Sequence, residues 1–202
     1  MTDTPSLQWA MDDAFKLETV RQIDGPRILS RRPRRRTLSA LRSEELAAFF
    51  TRLPEPGESL HIVSNGRFDY WHFVPVSIAL LGRPAEALYG STWTMNRANV
   101  AELLALFDSG KVKSVAVLTG TYFKRRESSV CNTLTTGLLD RGQRFRAFQN
   151  HAKVLLIAAP PDFLTIEGSA NFTANPRLEQ SVVSNDEALY QFHRSWFEEM
   201  LR

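Results

Sequence analysis

Apolar and polar positions along the chain form two kinds of segment that alternate up to residue 148. Short apolar runs of strand type are each followed by a longer run with helical spacing, and glycine, proline or serine residues separate them. The predicted strands are 59–64, 88–94, 114–119 and 145–148, and the predicted helices are 43–50, 68–81, 98–107 and 127–139. This order of segments is typical of an α/β fold.

The last part of the chain has a different pattern, because its strand-like segments follow one another directly. Residues 154–157 and 163–166 are apolar and are joined by a turn with the sequence Ala-Ala-Pro-Pro-Asp, which predicts a β-hairpin. A further strand over 178–183 precedes a C-terminal helix that starts at residue 185. We therefore predict one α/β domain, a sandwich of helices around a mixed sheet.

Basic residues are concentrated in one short segment, although the net charge of the 202 residues is only +3. The segment contains Arg27, Arg31, Arg32, Arg34, Arg35, Arg36 and Arg42. Such a run resists packing, so we predict that residues 1–42 form a basic N-terminal extension and residues 43–202 form the folded domain. The run either contacts a polyanion such as nucleic acid or is a solvated arm without a partner, and the sequence leaves both open.

A second basic group leads toward the candidate site described below and consists of Lys111, Lys113, Lys124, Arg125, Arg126, Arg141, Arg144 and Arg146. Arginine prevails in both groups, and its planar guanidinium suits phosphate. Aromatic residues do not interleave the arginines, so the sequence predicts no stacking surface for single strands.

The remaining composition excludes several classes of protein. Cys131 is the single cysteine, which excludes a disulfide framework and a cysteine-rich zinc site. Residues 1–5 carry no secretory signal pattern, and the longest apolar stretch, around residues 73–81, is too short to span a bilayer. We therefore expect a cytoplasmic protein that does not bind membranes.

The candidate chemistry lies in residues 151–179. His151 and Lys153 share one face of a strand-like segment because side chains alternate, and that face meets Ser169 and Asn171 on the neighbouring segment. An imidazole, an ammonium, a hydroxyl and a carboxamide are all groups that attack or hold a phosphate. Glu179, on the next strand, is placed to orient an imidazole. This set of groups needs no metal and no cofactor.

The other histidines do not repeat this spacing. His61 lies in the first predicted strand and His72 in an apolar helix, so we assign both a structural role. His193 lies on the last helix, where we expect it to be exposed.

The candidate residues resemble the signature of the phospholipase D superfamily, in which H-x-K is followed by four residues, D, and then G-S-x-N. The chain has His151-Ala152-Lys153 and, over 168–173, Gly-Ser-Ala-Asn-Phe-Thr. The second part is most similar to that of the small bacterial nucleases of the superfamily, and the resemblance extends over roughly residues 57–202. One position departs from the signature, because its Asp falls on Ala158. Asp162 is either a displaced substitute or a turn residue.

The resemblance implies a phospholipase D-like α-β-α sandwich and a metal-independent phosphodiesterase, most simply a nuclease acting on DNA or RNA through a phosphohistidine. Since the chain carries one copy of the motif and in-line displacement uses groups on both sides of phosphorus, we expect a homodimer in which two His151 side chains face one phosphate. Two alternatives stay open: a nucleic-acid-binding protein with little or no turnover, and a phospholipid phosphodiesterase. The residues predicted to contact nucleic acid are Arg31, Arg32, Arg34, Arg35, Arg36, Lys124, Arg125 and Arg126.

Overall fold

The structure is a computed structural model that describes residues 38–65, 68–173 and 177–202, with side chains from residue 42 onward. Each predicted strand and helix has a counterpart in it. The strands are β1 (Ser59–Ser64), β2 (Ala87–Thr92), β3 (Val115–Gly120), β4 (Arg144–Phe148), β5 (Val154–Ala159), β6 (Asp162–Gly168) and β7 (Glu179–Asn185). The helices are α1 (Leu38–Ala47), α2 (Phe73–Leu81), α3 (Arg97–Asp108), α4 (Thr121–Arg126), α5 (Ser128–Leu139) and α6 (Glu187–Leu201). A single 3₁₀ turn, Tyr70–His72, precedes α2.

The seven strands form one mixed sheet in the order β1-β7-β6-β5-β2-β3-β4. Neighbours β2, β3 and β4 are parallel, because a helical segment connects each of them to the next. All other neighbours are antiparallel, and the pairs β5–β6 and β6–β7 are consecutive in the chain. The predicted mixed sheet is therefore confirmed.

Helices cover the sheet on both faces. One face packs against α1, α2, α3, α4 and α5 and forms the larger apolar core, with Trp71 and Phe73 among its largest buried side chains. The other face packs against α6, which contributes Tyr190 and Phe197. Both faces of β5 are buried as a result, which explains why its sequence is a continuous apolar run rather than an alternating one.

Helices α1 and α2 begin at residues other than those predicted. The predicted helix over 68–81 is divided: a 3₁₀ turn capped by Asp69 comes first, and α2 begins only at Phe73. It ends as predicted at Gly82, whose φ of 64° is a left-handed conformation suited to glycine. Helix α1 begins at Leu38 instead of Ser43, so that Ser43 lies within the helix.

One short helix, α4, is absent from the prediction. It follows directly after β3 and contains Lys124, Arg125 and Arg126, and only Phe123 of its residues is buried. A segment with a single core residue has no helical periodicity that the sequence pattern can show.

The predicted exposure of His193 is wrong. Its side chain is buried between α6 and the sheet, with Nε2 3.3 Å from a carboxylate oxygen of Glu167 and Nδ1 accepting a hydrogen bond from the indole of Trp196 at 3.1 Å. Burial lowers the pKa of His193, although Glu167 opposes that shift. The apolar face of α6 is therefore wider than the pattern suggested.

Residues 1–37, which contain most of the predicted extension and Arg31, Arg32, Arg34, Arg35 and Arg36, lie outside the described residues. The predicted boundary between residues 42 and 43 falls inside α1. Arg42 itself forms an ion pair with the buried Asp69 at 2.7 Å. The division into extension and domain stays a prediction. Among the described helices, none has the length and apolar character needed to cross a bilayer.

Candidate active site

The candidate residues lie at one end of the sheet, where β1, β2, β3, β4 and β6 end and β5 and β7 begin. Ser91 near the end of β2 pairs with Val154 at the start of β5, and Val154 pairs with Glu167 near the end of β6. At the same end, Gly168 pairs with Ser181 of β7. Segments 149–153 and 169–173, which are far apart in the chain, are brought together by this register. The carboxyl ends of parallel strands are a common location for binding sites in α/β folds.

The structure places the side chains of His151 and Lys153 in contact. Lys153 Nζ lies 2.7 Å from Nδ1 and 3.2 Å from Nε2 of the His151 ring, and it donates to the His151 carbonyl oxygen at 2.6 Å. Lys153 is 9% exposed, whereas His151 is exposed to solvent. The accessible imidazole of His151 is therefore in contact with a largely buried cation.

The electrostatic environment of Lys153 favours the binding of an anion. Burial lowers the pKa of its ammonium group because the charged form loses hydration, and the nearby Glu179 carboxylate only partly offsets this shift. A bound phosphate would supply the negative charge that a desolvated ammonium lacks.

Two polar residues that the sequence analysis missed fix the segment before His151. The Asn150 side chain accepts from the Ala152 amide at 3.0 Å and donates to Ser91 Oγ at 2.9 Å, and Ser91 Oγ donates to the Ala152 carbonyl at 3.1 Å. Asn150 and Ser91 are both buried. This closed network holds residues 150–152 against the end of β2 and directs the His151 side chain outward. The only signal in the sequence is an Asn directly before the motif His.

The turn after β6 positions Ser169 and Glu179. The Ser169 hydroxyl donates to a Glu179 carboxylate oxygen and accepts from the Gln180 amide at 3.1 Å, and the Ser169 amide donates to the Gln180 carbonyl at 3.1 Å. A Cβ at Gly168 would lie 2.6 Å from Cε2 of Tyr70, so only glycine fits beneath the turn. The sequence analysis also missed Tyr70, whose hydroxyl donates to the Ile166 carbonyl at 2.5 Å.

Glu179 has a different partner from the one predicted. Within the described part of the single chain its carboxylate is bonded to Ser169, whereas the ring of His151 is bonded to Lys153. The reason is the pairing of β6 with β7, which sets Ser169 beside the first residues of β7. Glu179 acts on Lys153 only through its charge.

Asn171 carries an unsatisfied polar atom. Its Oδ1 is buried and has no hydrogen-bond partner among the described residues. The next residue anchors the segment, because the Phe172 amide donates to Thr92 Oγ1 at 3.1 Å and its carbonyl accepts from Asn99 Nδ2 at 2.9 Å. A buried amide oxygen without a partner at a site of this kind is typical of an acceptor that a donor of the ligand completes.

An aromatic pair lies beside His151, although the sequence predicts no stacking surface. Trp93 and Tyr122 stack with ring centroids 4.2 Å apart, and the Trp93 ring lies 5.6 Å from that of His151. The pair lines a cavity of 340 Å³ together with Thr121, Gln149, Asn150 and His151. The prediction placed Trp93 within a strand, but β2 ends at Thr92 and the indole leaves the sheet.

The predicted basic groups are only partly near this end of the sheet. Lys124, Arg125 and Arg126 lie on α4, directly after the end of β3, and all three are exposed. Other basic residues of the second group form ion pairs elsewhere, Arg141 with Asp108 at 2.7 Å and Arg144 with Glu198 at 2.5 Å. The α4 cluster is therefore the part of that group that the fold leaves available beside the site.

Ala158 and Asp162 lie at the opposite end of β5. Ala158 packs in the apolar cluster beneath α6, and five residues of extended strand separate it from Lys153 by roughly 17 Å. Asp162 binds Arg83 at 2.5 Å and Asn185 Nδ2 at 2.8 Å, which is the role of a turn residue and not of a displaced catalytic group. Neither position reaches a phosphate held at His151.

Comparison with known proteins bears on the fold. No protein-family model matches the sequence, and no curated protein matches it. Among solved structures, the phospholipase D family member Nuc from Salmonella typhimurium has a TM-score of 0.51 at 15% identity over 71% of this chain and 94% of that chain. TrmBL2, an archaeal chromatin protein, has a TM-score of 0.50 at 12% identity over 95% of this chain and 64% of that chain. NucT from Helicobacter pylori has a TM-score of 0.49 at 15% identity over 71% of this chain and 96% of that chain.

At these identities the likeness concerns the fold. The mixed seven-stranded sheet between two helical layers agrees with the match to Nuc, which covers nearly all of that chain. The resemblance suggested by the motif residues is thus confirmed for the architecture, and the chain has a phospholipase D-like fold.

Proposed function

We propose that this protein is a phosphodiesterase that hydrolyses nucleic acid through a covalent phosphohistidine on His151. The observation that carries the proposal is the contact at 2.7 Å between the accessible His151 imidazole and the largely buried Lys153 ammonium. Ser169 and Asn171, whose Oδ1 is buried without a partner among the described residues, add neutral polar groups at the same end of the sheet. Together these groups supply a nucleophile and the donors that a phosphoryl group requires.

The reaction proceeds in two displacements. An imidazole nitrogen of His151 attacks phosphorus, a P–N bond forms, and the P–O bond to the leaving strand breaks as that oxygen takes a proton from an acid on the opposite side. Water then attacks phosphorus, the P–N bond breaks, and the proton of the water returns to the same acid. Lys153 stabilises the negative charge on the non-bridging oxygens in both steps.

The acid for the leaving oxygen comes from a second copy of the chain in this proposal. In the described part of one chain, His151 is the only imidazole in contact with Lys153, whereas in-line displacement needs groups on both sides of phosphorus. A two-fold axis through the site would place the partner subunit's His151 opposite the first.

A surface suited to such an interface lies beside the site. Phe49, Val63 and Leu178, which we call the edge patch, are 52%, 70% and 79% exposed and line one depression of 500 Å³. Leu178 directly precedes Glu179, and Val63 lies on β1, an edge strand of the sheet. Neighbouring large apolar side chains on a surface commonly mark an interface.

Nucleic acid is the substrate that the charges favour. The exposed Lys124, Arg125 and Arg126 lie at the site's end of the sheet, and the arginine-rich segment 31–36 adds further positive charge to the chain. A protein of the same fold, TrmBL2, is described as a chromatin protein with a mode of DNA binding. That likeness favours binding without turnover as the second candidate function.

A substrate panel tests the proposal. Single-stranded DNA, single-stranded RNA, duplex DNA and phosphatidylcholine vesicles are incubated with the protein in the presence and absence of EDTA. We expect cleavage of a nucleic acid at equal rates with and without EDTA, and no release of phosphatidic acid. Binding that weakens steeply with salt but without any cleavage would favour the second candidate. Cleavage that EDTA abolishes would contradict the metal-independent chemistry.

The pH dependence of cleavage tests the role of Lys153. Because burial lowers its pKa, the ammonium loses its charge at a lower pH than a lysine with the ordinary value of 10.5. We expect kcat/KM to fall on the alkaline side at a pH below 10.5, since this parameter reports the free enzyme. The Lys153→Arg variant, whose guanidinium stays charged, should lose this alkaline limb while retaining part of the rate. If the alkaline decrease in kcat/KM were unchanged in Lys153→Arg, a group other than Lys153 would be responsible for it.

A further inference from the structure

We propose that Trp93 and Tyr122 form a stacking platform for the nucleobase next to the scissile phosphate, so that the site takes single-stranded or locally unpaired nucleic acid. This inference rests on the proposed function and specifies the form of its substrate. It concerns binding and positioning, and it adds no chemical step.

The position of the pair relative to His151 supports this role. The Trp93 and Tyr122 rings stack at 4.2 Å with an interplanar angle of 20°, and the Trp93 ring lies 5.6 Å from the His151 ring. The 340 Å³ cavity lined by these three rings is open to solvent beside the nucleophile. A phosphate at His151 therefore has its neighbouring base within reach of an aromatic surface.

The pair is not part of the apolar core. Neither Trp93 nor Tyr122 belongs to the buried clusters on the two faces of the sheet, and Tyr122 is 37% exposed. The Trp93 indole N–H makes no hydrogen bond within the described residues. Two aromatic rings stacked at the surface beside a catalytic candidate, with an unused donor, form a surface that a base can complete.

The fold builds the platform from two neighbouring strands. Thr92 at the end of β2 pairs with Thr119 near the end of β3, so Trp93 and the first turn of α4 leave the sheet side by side. Gly120 makes room for the indole: a Cβ there would overlap Cδ1 of Trp93 and lie 3.0 Å from the Asn150 carbonyl oxygen. The backbone of β3 thus allows Trp93 to lie between α4 and the segment that carries His151.

A cation supports the tyrosine ring. Arg126 Nε donates to the Tyr122 hydroxyl at 2.8 Å, and its guanidinium carbon lies 5.4 Å from the centroid of that ring. Arg126 holds the ring in place and brings positive charge to the edge of the platform, where the phosphate of the next nucleotide would lie.

Stacking of this kind favours unpaired bases. Every base has a π-face, so the platform would bind nucleic acid with little sequence preference. A base within a duplex is already stacked and paired, and it would have to leave the helix before it reached Trp93. The platform therefore predicts a preference for single strands over duplexes of the same sequence.

The test measures binding affinity when a side chain of the protein, a base of the oligonucleotide, or both are removed. His151→Asn protein, which retains the fold without the nucleophile, is titrated with fluorescent single-stranded oligonucleotides that carry one abasic residue at successive positions. We expect one position at which removing the base weakens binding about 10- to 100-fold. Adding Trp93→Ala should weaken binding of the intact strand by a similar factor and should have little further effect at that abasic position. Trp93→Phe should restore most of the affinity, whereas Phe192→Ala, which removes a ring 65% exposed on α6, should change nothing.

Each outcome separates this inference from the proposed function. If Trp93→Ala weakens binding of the intact and the abasic strands by the same factor, or weakens neither, the proposed platform is wrong. The proposal that the protein cleaves nucleic acid would not be affected by that result. Tyr122→Ala serves as a second variant should Trp93→Ala lower the melting temperature. If no oligonucleotide binds to the His151→Asn protein, both the platform and the nucleic-acid substrate are wrong.

Discussion

Replacing His151 by alanine is expected to lower the rate of phosphodiester cleavage by at least about 10³-fold. The imidazole forms the covalent bond in the proposed chemistry, and no other imidazole in the described chain contacts Lys153. Single-turnover rates on the preferred nucleic acid, measured with EDTA present, would quantify the loss. The melting temperature should stay nearly the same, because the side chain is exposed and supports no core residue.

The control for this variant is another exposed histidine. His61 lies on β1 with its side chain in solvent and has no role in the proposed chemistry, so His61→Ala should cleave at the wild-type rate. A loss in both variants would point to a general effect on the protein. Retention of the rate in His151→Ala would contradict the covalent mechanism outright.

The intermediate itself is open to observation. With an end-labelled substrate, a rapid denaturing quench of the wild-type protein at alkaline pH should retain label on the chain as a P–N bond, which acid should release. The His151→Ala protein should retain none. Label that resists acid would indicate an ester on a hydroxyl residue such as Ser169 and would move the nucleophile away from His151.

The elements of the fold were predictable where local pattern and tertiary burial agree. Strand β5 has a continuous apolar run because α6 covers one of its faces and the larger core covers the other. The end of α2 was predictable from Gly82, whose left-handed φ stops the helix. In both cases the local sequence feature, an apolar run or a glycine, favours the same structure as the surrounding packing.

The site was predictable as a set of residues but not as a network of contacts. The contact between His151 and Lys153 was predictable from their spacing of two residues, although both lie just before β5 and not within a strand. The partner of Glu179 depends on the register between β6 and β7, which no local pattern specifies. Trp93 and Tyr122 are brought together only by the parallel pairing of β2 with β3, and their contact is likewise invisible in the sequence.

A dimer with a single intact His151 is expected to lose nearly all activity. Two differently tagged chains, one wild type and one His151→Ala, are coexpressed and purified through both tags in turn. In a composite site the remaining imidazole serves as nucleophile, but the leaving oxygen has no acid, and we expect a loss of about 10²- to 10⁴-fold relative to the wild-type dimer. If each chain held a complete site, the mixed dimer would keep half of the wild-type rate instead.

The edge patch supplies a matched pair of variants for the same question. Leu178→Asp places a charge on a residue that is 79% exposed beside Glu179, and we expect it to yield monomers by light scattering and to lose cleavage in parallel. Leu139→Asp changes a leucine that is 56% exposed at the end of α5, and it should stay dimeric and active. Monomers of Leu178→Asp that cleave at the wild-type rate would show that one chain suffices. The acid opposite His151 would then have to come from the same chain, and the two-fold arrangement of the site would be wrong.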